Sequence, residues 1–529
     1  MDLTTRLQDI ANAMWLPVII LAIVMGVYFT IRTKVLQIRL FPQMLRELKG
    51  DGETAPGGLT PFQALALTIG NRVGVGNIAG VATAVGWGGP GALFWMGVMA
   101  FCGGATAFVE STLAQIYKER VNSELKGGVP YYLYKVFQRR WIGMIAAVIA
   151  LILYTILAPG IQSNSIAVSF DYAFGIPGWV TGIVVTGLLG VIIWGGRERI
   201  IKVVNIVVPI MAVGYIGGAI VVLLVNITEL PGAIGLIISS AFGADQVFGG
   251  IVGAAISWGV RRALFSNVAG VGEGTYAAGA AEVSHPAKQG LVQTFSIYID
   301  TLTVCMLTGL MMVVTGQYNV ITEDGRELLV NLPGVEPGTN FTQAAVDTVA
   351  TGFGSPFIAV SVAMFAITTI VAFYFIADTN LSFIIGEGRK IYVRILECVL
   401  LAVCFISCIV DAGAVWAVGD MGYASLGVIN FIGLILLSRI ALRALKDFDD
   451  QRKQGLNPTF DPVKLGIRHA NFWEELRAEE AHALSSPAES VRPGEAGPES
   501  ARSAESVRPE KAGPDKTRPE TGDDQEGSK

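Results

Sequence analysis

Gly70-Asn71-Arg72-Val73-Gly74-Val75-Gly76-Asn77-Ile78-Ala79-Gly80 sits inside an otherwise apolar run covering about residues 60–86. Glycines at 70, 74 and 76, two Asn and one Arg make a poor continuous membrane helix. Each unsatisfied backbone group in hydrocarbon costs several kcal/mol, so unwound backbone is tolerated only where it lines a cavity. Such a break has two chemical uses. Freed carbonyls can ligate a cation, and the amides opening the second half-helix can hold a carboxylate. Close packing of helices accounts for the glycines but not for Asn71, Arg72 and Asn77.

A second stretch echoes the first. Arg262-Ala263-Leu264-Phe265-Ser266-Asn267-Val268-Ala269-Gly270-Val271 matches Arg72-Val73-Gly74-Val75-Gly76-Asn77-Ile78-Ala79-Gly80-Val81 as Arg, four residues, Asn-(Ile/Val)-Ala-Gly-Val. Helices need about 20 largely apolar residues to cross a bilayer. The sequence predicts eleven such spans, near 15–31, 60–86, 89–118, 141–170, 177–195, 200–226, 245–270, 288–316, 355–385, 391–411 and 413–440. The loops after spans 1, 3, 5, 7 and 9, with the span ends that flank them, hold 18 Lys and Arg, and the opposite side holds only Arg6 and Arg326. By the positive-inside rule the N-terminus is expected outside and the C-terminus in the cytoplasm, in a cell membrane. The two echoing spans then run in opposite directions. The expected organisation is an N-terminal stretch with the first helix and a loop (1–59), a five-helix repeat (60–226), an inverted five-helix repeat (245–440) and a tail (441–529). Inverted repeats with matching interrupted spans point to the binding site of a secondary transporter.

Composition agrees with this reading. Of 529 residues 52% are hydrophobic and 15% charged, and residues 446–529 carry 31 of the 81 charged side chains. The remaining chain is about 11% charged, against roughly 25% for soluble domains. All five Cys fall in apolar stretches, which argues against a disulfide framework, and no basic face suits nucleic acid. The tail repeats Ala-Glu-Ser-Val-Arg-Pro from Ala488 and Ala504. It is too poor in large apolar residues to repay ordering entropy, so disorder is expected from about 484.

At these residues the sequence resembles the alanine or glycine:cation symporter family. The resemblance covers roughly 55–460 and rests on several phrases. They are Gly-Asn-Ile-Ala-Gly-Val-Ala-Thr-Ala (76–84), Gly-Gly-Pro-Gly-Ala-Leu-Phe-Trp-Met (88–96), Leu-Phe-Ser-Asn-Val-Ala-Gly-Val-Gly (264–272), His-Pro-Ala-Lys-Gln-Gly-Leu-Val (285–292) and Asp-Asp-Gln-Arg-Lys-Gln-Gly (449–455). It implies an all-α polytopic fold of the leucine-transporter type, five plus five helices preceded by one more. It also implies sodium-coupled symport of a small neutral amino acid, with Na+ as coupling ion and no organic cofactor or obligate protein partner. The Gly70 and Val73 carbonyls and the Thr368 and Thr369 hydroxyls would hold sodium. Gly74, Gly76, Asn77, Gln162, Asn164, Ser266 and Asn267 would face substrate. Phe373 stands where the family often has Trp, and would form one wall of the side-chain pocket.

Other polar residues fit less obviously. Ionisable groups in apolar spans are expensive and usually functional or paired. Glu110, Arg72, Arg261 and Arg262 are expected to form cytoplasmic-side ion pairs, and Asp300 joins the same group of intramembrane charges. His285 reads as a loop residue, and Gly88-Gly89-Pro90-Gly91 as a tight turn. There is no P-loop and no nucleophile–base set, so neither ATP-driven transport nor an enzyme is expected. A channel would need a continuous pore, usually built by symmetric subunits. Proton coupling, with another small amino acid as cargo, stays open as the alternative.

Overall fold

The computed structural model describes residues 3–50, 58–121, 123–322, 325–386 and 390–485. Within them the principal helices are α1 (Leu3–Arg32), α2 (Pro61–Arg72), α3 (Ala79–Gly88), α4 (Gly91–Ile116), α5 (Arg140–Phe174), α6 (Gly178–Ile193) and α7 (Gly196–Val225). They continue with α8 (Leu230–Ala241), α9 (Val252–Asn267), α10 (Gly274–Ala280), α11 (Pro286–Thr315), α12 (Gly354–Ile385), α13 (Lys390–Ser407) and α14 (Ala412–Lys453). Two short antiparallel hairpins, Glu119–Val121 with Glu124–Lys126 and Asn319–Ile321 with Glu327–Val330, are the strands described.

The protein is an all-α polytopic membrane protein. Among the described residues α1, α4, α5, α7, α11, α12 and α14 are each long and apolar enough to cross a bilayer. Helix α7 shows why a membrane is the solvent. It buries Val204, Val208, Met211, Tyr215, Ala219 and Val222 at helical spacing. Its opposite face exposes Ile206, Ile210, Val213, Ile220, Val221 and Leu224. A helix apolar on every side suits lipid, not water.

The other apolar runs fall short of a full span for separate reasons. The runs at 60–86 and 245–270 are split by irregular backbone, α6 has 16 residues, and α13 carries Lys390, Arg394 and Glu397. Helix α8 was not expected. At 12 residues and 1.5 Å per residue it reaches about 18 Å, too short for a core about 30 Å thick.

Both breaks have local causes. Thr60 caps α2 with a capping box to Gln63, and Pro61 suits the first turn. After Arg72 the chain leaves helical geometry at Val73 and Gly74, makes one 3₁₀ turn over Val75–Asn77, and resumes as α3. Helix α9 ends at Val268 in the left-handed region, and Gly270 and Gly272 follow at φ 91° and 100°. These two positions need glycine for their backbone angles. Gly89, at φ 70°, turns the chain from α3 into α4 as expected. Two π-helical segments interrupt longer helices, Leu153–Leu157 in α5 and Tyr298–Cys305 in α11, and the second packs against the 3₁₀ turn of the first break.

The chain divides into a first unit, Met1–Arg477, and a second, Ala478–Lys529. In the second, the described residues are the end of helix Asn471–Ser485. The expected disorder from about 484 falls almost wholly on 486–529, outside the described residues.

Candidate substrate and cation site

The first break is stitched to three other helices. The Thr369 hydroxyl of α12 lies 2.9 Å from the Gly70 carbonyl oxygen and 2.9 Å from that of Phe365. Gln162 of α5 accepts from the Val75 amide at 3.1 Å, and Asn77 folds back to accept from the Gly74 amide at 2.9 Å. The Asn77 side-chain NH₂ donates to Asp300 of α11 at 2.6 Å. Ser266, closing α9, donates to the same carboxylate, 3.0 Å from Oδ2, and Thr301 does so at 2.5 Å.

Space is as tight as the hydrogen bonding. A Cβ on Gly74 would stand 2.7 Å from Thr369 Oγ1, and one on Gly76 would stand 3.0 Å from the Phe265 ring. Thus Gly70, Gly74, Gly76, Asn77, Gln162, Ser266 and Thr369 converge on one buried locus. Thr368 sits beside it, 3.8 Å from where a Gly70 Cβ would lie, but its hydroxyl bonds the Met364 and Phe365 carbonyls of its own helix. Val73 is buried in the break, its amide donating to Ile69 at 2.7 Å. Phe373 is fully buried and packs on Tyr154 with centroids 5.4 Å apart. Through Tyr154 it joins Tyr276 and Tyr423, and through Tyr423 it reaches Phe265.

Two expected residues point elsewhere. Asn164 donates to the Ser407 and Val410 carbonyls at 2.8 and 3.0 Å, holding the end of α13. Asn267 accepts from the Ala269 amide at 3.0 Å and shapes the second break from within.

The charged groups depart from expectation. Glu110 of α4 has no ion pair within 4 Å among the described residues. Its Oε2 accepts from the Gly270 amide at 3.0 Å and from Asn430 of α14 at 2.9 Å, so it anchors the second break. Arg261 and Arg262 share Asp420 of α14, at 2.5 and 3.4 Å, and Arg261 also donates to Asn12 of α1 at 2.6 Å. That cluster lies with the N-terminal half of α1. His285 is no plain loop residue. It is fully buried, its Nδ1 accepts from the Ala287 amide at 3.1 Å to cap α11, and Nε2 lies 3.4 Å from Asp447.

Glu273 is a residue that the sequence reading passed over, and Asn71, conspicuous in the first break, was given no partner there. Asn71 donates to Glu273 at 2.7 Å across the two breaks. Glu273 follows the Asn-Val-Ala-Gly-Val echo by two residues, and its position there was the one available signal.

The arrangement offers neutral carbonyl and hydroxyl oxygens, backbone amides held by side-chain acceptors near a helix start, and an aromatic cluster beside them. Neutral oxygens of this kind are ligands for a hard cation, and amides at a helix start are donors for a carboxylate. The comparisons agree in kind. A family profile described as the sodium:alanine symporter family matches residues 1–462. The chain is 49% identical over 425 residues to the sodium/proton-dependent alanine carrier protein of Bacillus sp. (strain PS3), covering 80% of this chain and 95% of that one. It is 34% identical over 463 residues to the sodium/alanine symporter AgcS of Methanococcus maripaludis, covering 86% and 99%. Among solved structures, a manganese transporter mutant of Eremococcus coleocola overlaps 81% of this chain and 88% of its own, at 12% identity and a TM-score of 0.48. That overlap is too loose to bear on fold or cargo.

Proposed function

The chain belongs to the sodium:alanine symporter family, and on that premise we propose that it imports alanine, glycine or a similar small neutral amino acid with Na+. It is a transporter and not an enzyme. In the proposed arrangement eleven spans cross the membrane, the N-terminus lies outside and the C-terminus in the cytoplasm. Residues 60–226 and 245–440 form inverted five-helix repeats, and 441–529 form a cytoplasmic tail. The two breaks, each following an Arg and ending in Asn-(Ile/Val)-Ala-Gly-Val, support the repeat.

The observation that carries the reading is the contact between the Gly70 carbonyl and the Thr369 hydroxyl at 2.9 Å, across the first break. Two neutral oxygens held together in a buried site suit a hard monovalent ion. Na+ would bind there, with Val73 and Thr368 completing the shell. The substrate carboxylate would meet the amides of Gly74 and Gly76, beside Asn77, Gln162 and Ser266, with Phe373 facing its side chain. Alternating access then exposes this locus to each side in turn.

Uptake of radiolabelled alanine into proteoliposomes, with and without an inward Na+ gradient, tests the reading. Saturable uptake driven by the gradient, with Thr369→Ala raising the Na+ half-saturation in folded protein, is the expected result. Uptake driven equally by a proton gradient in the absence of Na+ would replace it with the proton-coupled alternative, a coupling that the name of the Bacillus relative pairs with sodium.

A further inference from the structure

A second group of oxygens lies apart from the Gly70–Thr369 contact, at the junction of α2, α10 and α12. Leu67, Thr68 and Asn71 face it from α2 at helical spacing, Glu273 and Ala277 from the second break and α10, and Ala372, Phe375 and Ile376 from α12. These side chains enclose a cavity of about 10 Å³, the lower limit of what holds a single water. Three buried oxygens belong to its walls, Thr68 Oγ1, Asn71 Oδ1 and Glu273 Oε1; none has a partner of ordinary hydrogen-bond geometry among the described residues, and tyrosine hydroxyls approach the last. The other Glu273 oxygen is already held by the Asn71 NH₂ at 2.7 Å, which fixes the orientation of both side chains. Buried polar atoms in native proteins are rarely left without partners, so this cavity calls for an occupant.

Its chemistry narrows the choice. All three orphaned atoms have lone pairs to offer, and two of them, the Asn carbonyl and the carboxylate oxygen, cannot donate. A proton on Glu273 would leave the Thr68 and Asn71 oxygens unsatisfied. A water would satisfy oxygens but add no charge. Charge is short here, because Arg72 faces three carboxylates, Glu110, Asp300 and Glu273, and donates its bonds to Gln293 and Ser296 instead. The Tyr154 and Tyr423 hydroxyls come within reach of Glu273, but they are neutral donors and bring no charge, and the Tyr276 hydroxyl is taken by Asn380. Uncompensated charge in a membrane interior is costly, and hard oxygen ligands suit a hard cation. We propose that Thr68, Asn71 and Glu273 form a second Na+ site, distinct from the one at Gly70 and Thr369. The proposal rests on the Na+ coupling argued above.

Such a site would link α2, just ahead of the first break, to the second break through the ion, since Thr68 and Asn71 lie on α2 and Glu273 in the second break. Occupancy would draw α2 and α10 together on one side of the substrate locus. The test is binding of radiolabelled Na+ to the purified full-length chain in lipid nanodiscs, by scintillation proximity. Glu273→Gln removes the charge and is expected to lose one bound Na+ per chain. Thr68→Val keeps the shape and the carboxylate and is expected to weaken the same ion at least tenfold, which covers the case of a Gln variant that fails to fold. Thr369→Ala, measured alongside, is expected to lose the other ion, so the two assignments fail separately. Unchanged Na+ stoichiometry and affinity in both folded Glu273 and Thr68 variants would overturn the second site. A changed pH profile of alanine uptake with unchanged Na+ binding would overturn it too, in favour of a proton on Glu273.

Discussion

Replacing Gly74 by Ala probes whether the first break and α12 are fitted to each other. Gly74 has φ −128° and ψ −155°, a backbone that any residue adopts, so the glycine is required by space and not by angle. Its added Cβ would lie 2.7 Å from Thr369 Oγ1, 3.4 Å from Thr369 Cγ2 and 3.2 Å from Gln162 Oε1. The first contact cannot persist, and Thr369 must turn away from the Gly70 carbonyl it now meets at 2.9 Å. Overpacking of this kind costs about 1–3 kcal/mol, which at 1.4 kcal/mol per tenfold corresponds to about 5- to 140-fold in an equilibrium constant. Gly74→Ala is therefore expected to raise the Na+ half-saturation of alanine uptake within that range and to lower the detergent-solubilised melting temperature. Thr369→Ala removes both offending atoms. In the double variant the Cβ then meets only the flexible end of Gln162, so its melting temperature should match that of Thr369→Ala alone. Residues in contact show such non-additive coupling, whereas distant ones add. If the two stability losses simply sum, the clash lies elsewhere and the proposed fit of break to helix is wrong.

Three further outcomes follow from particular contacts. Phe373→Trp is expected to bias uptake toward glycine and alanine, and Phe373→Ala to admit valine and leucine, because apolar pockets discriminate by about 1–3 kcal/mol per methylene; an unchanged order in competition assays removes Phe373 from the pocket. Asp420→Asn leaves two buried guanidinium groups with one counter-charge fewer than before, and breaking a buried pair costs about 3–5 kcal/mol, so the melting temperature should drop sharply while Arg39 variants, which lose only a half-exposed pair, change it little. His285 is the pH-sensitive cap: burial pushes its imidazole below the ordinary value, against the opposing pull of Asp447, with Lys288 adding to the downward push. A depressed folded-state value favours the neutral ring, so its stabilisation is complete above the unfolded value of about 6.5 and is lost as pH falls below it; melting curves at pH 7.5 and 5.5 should show a loss that His285→Asn, which can still cap, lacks.

What the sequence alone determined is what depends on local composition. A run of apolar side chains long enough for a bilayer signals a span wherever its neighbours end up, and a cluster such as Gly70 to Gly80 cannot stay helical in lipid whatever packs on it. The second break was legible from its Asn-Val-Ala-Gly-Val echo of the first, and Gly270 and Gly272 there take angles that favour glycine. Tertiary structure alone decided which polar atoms meet. The Gly70–Thr369 contact joins residues 299 apart and the Asn71–Glu273 contact residues 202 apart, and no local pattern encodes such a pairing. Asn164 and Gln162 illustrate the limit: two positions apart on α5, one bonds the break and the other the end of α13. Helical periodicity sets that their side chains diverge by about 200°, but only the packed neighbours decide which of the two faces the site. For the same reason Arg261 and Arg262 were readable as costly charges needing a partner, while Asp420 as that partner, and its place near the start of α1, came from the packing of α14 against α1 and α9.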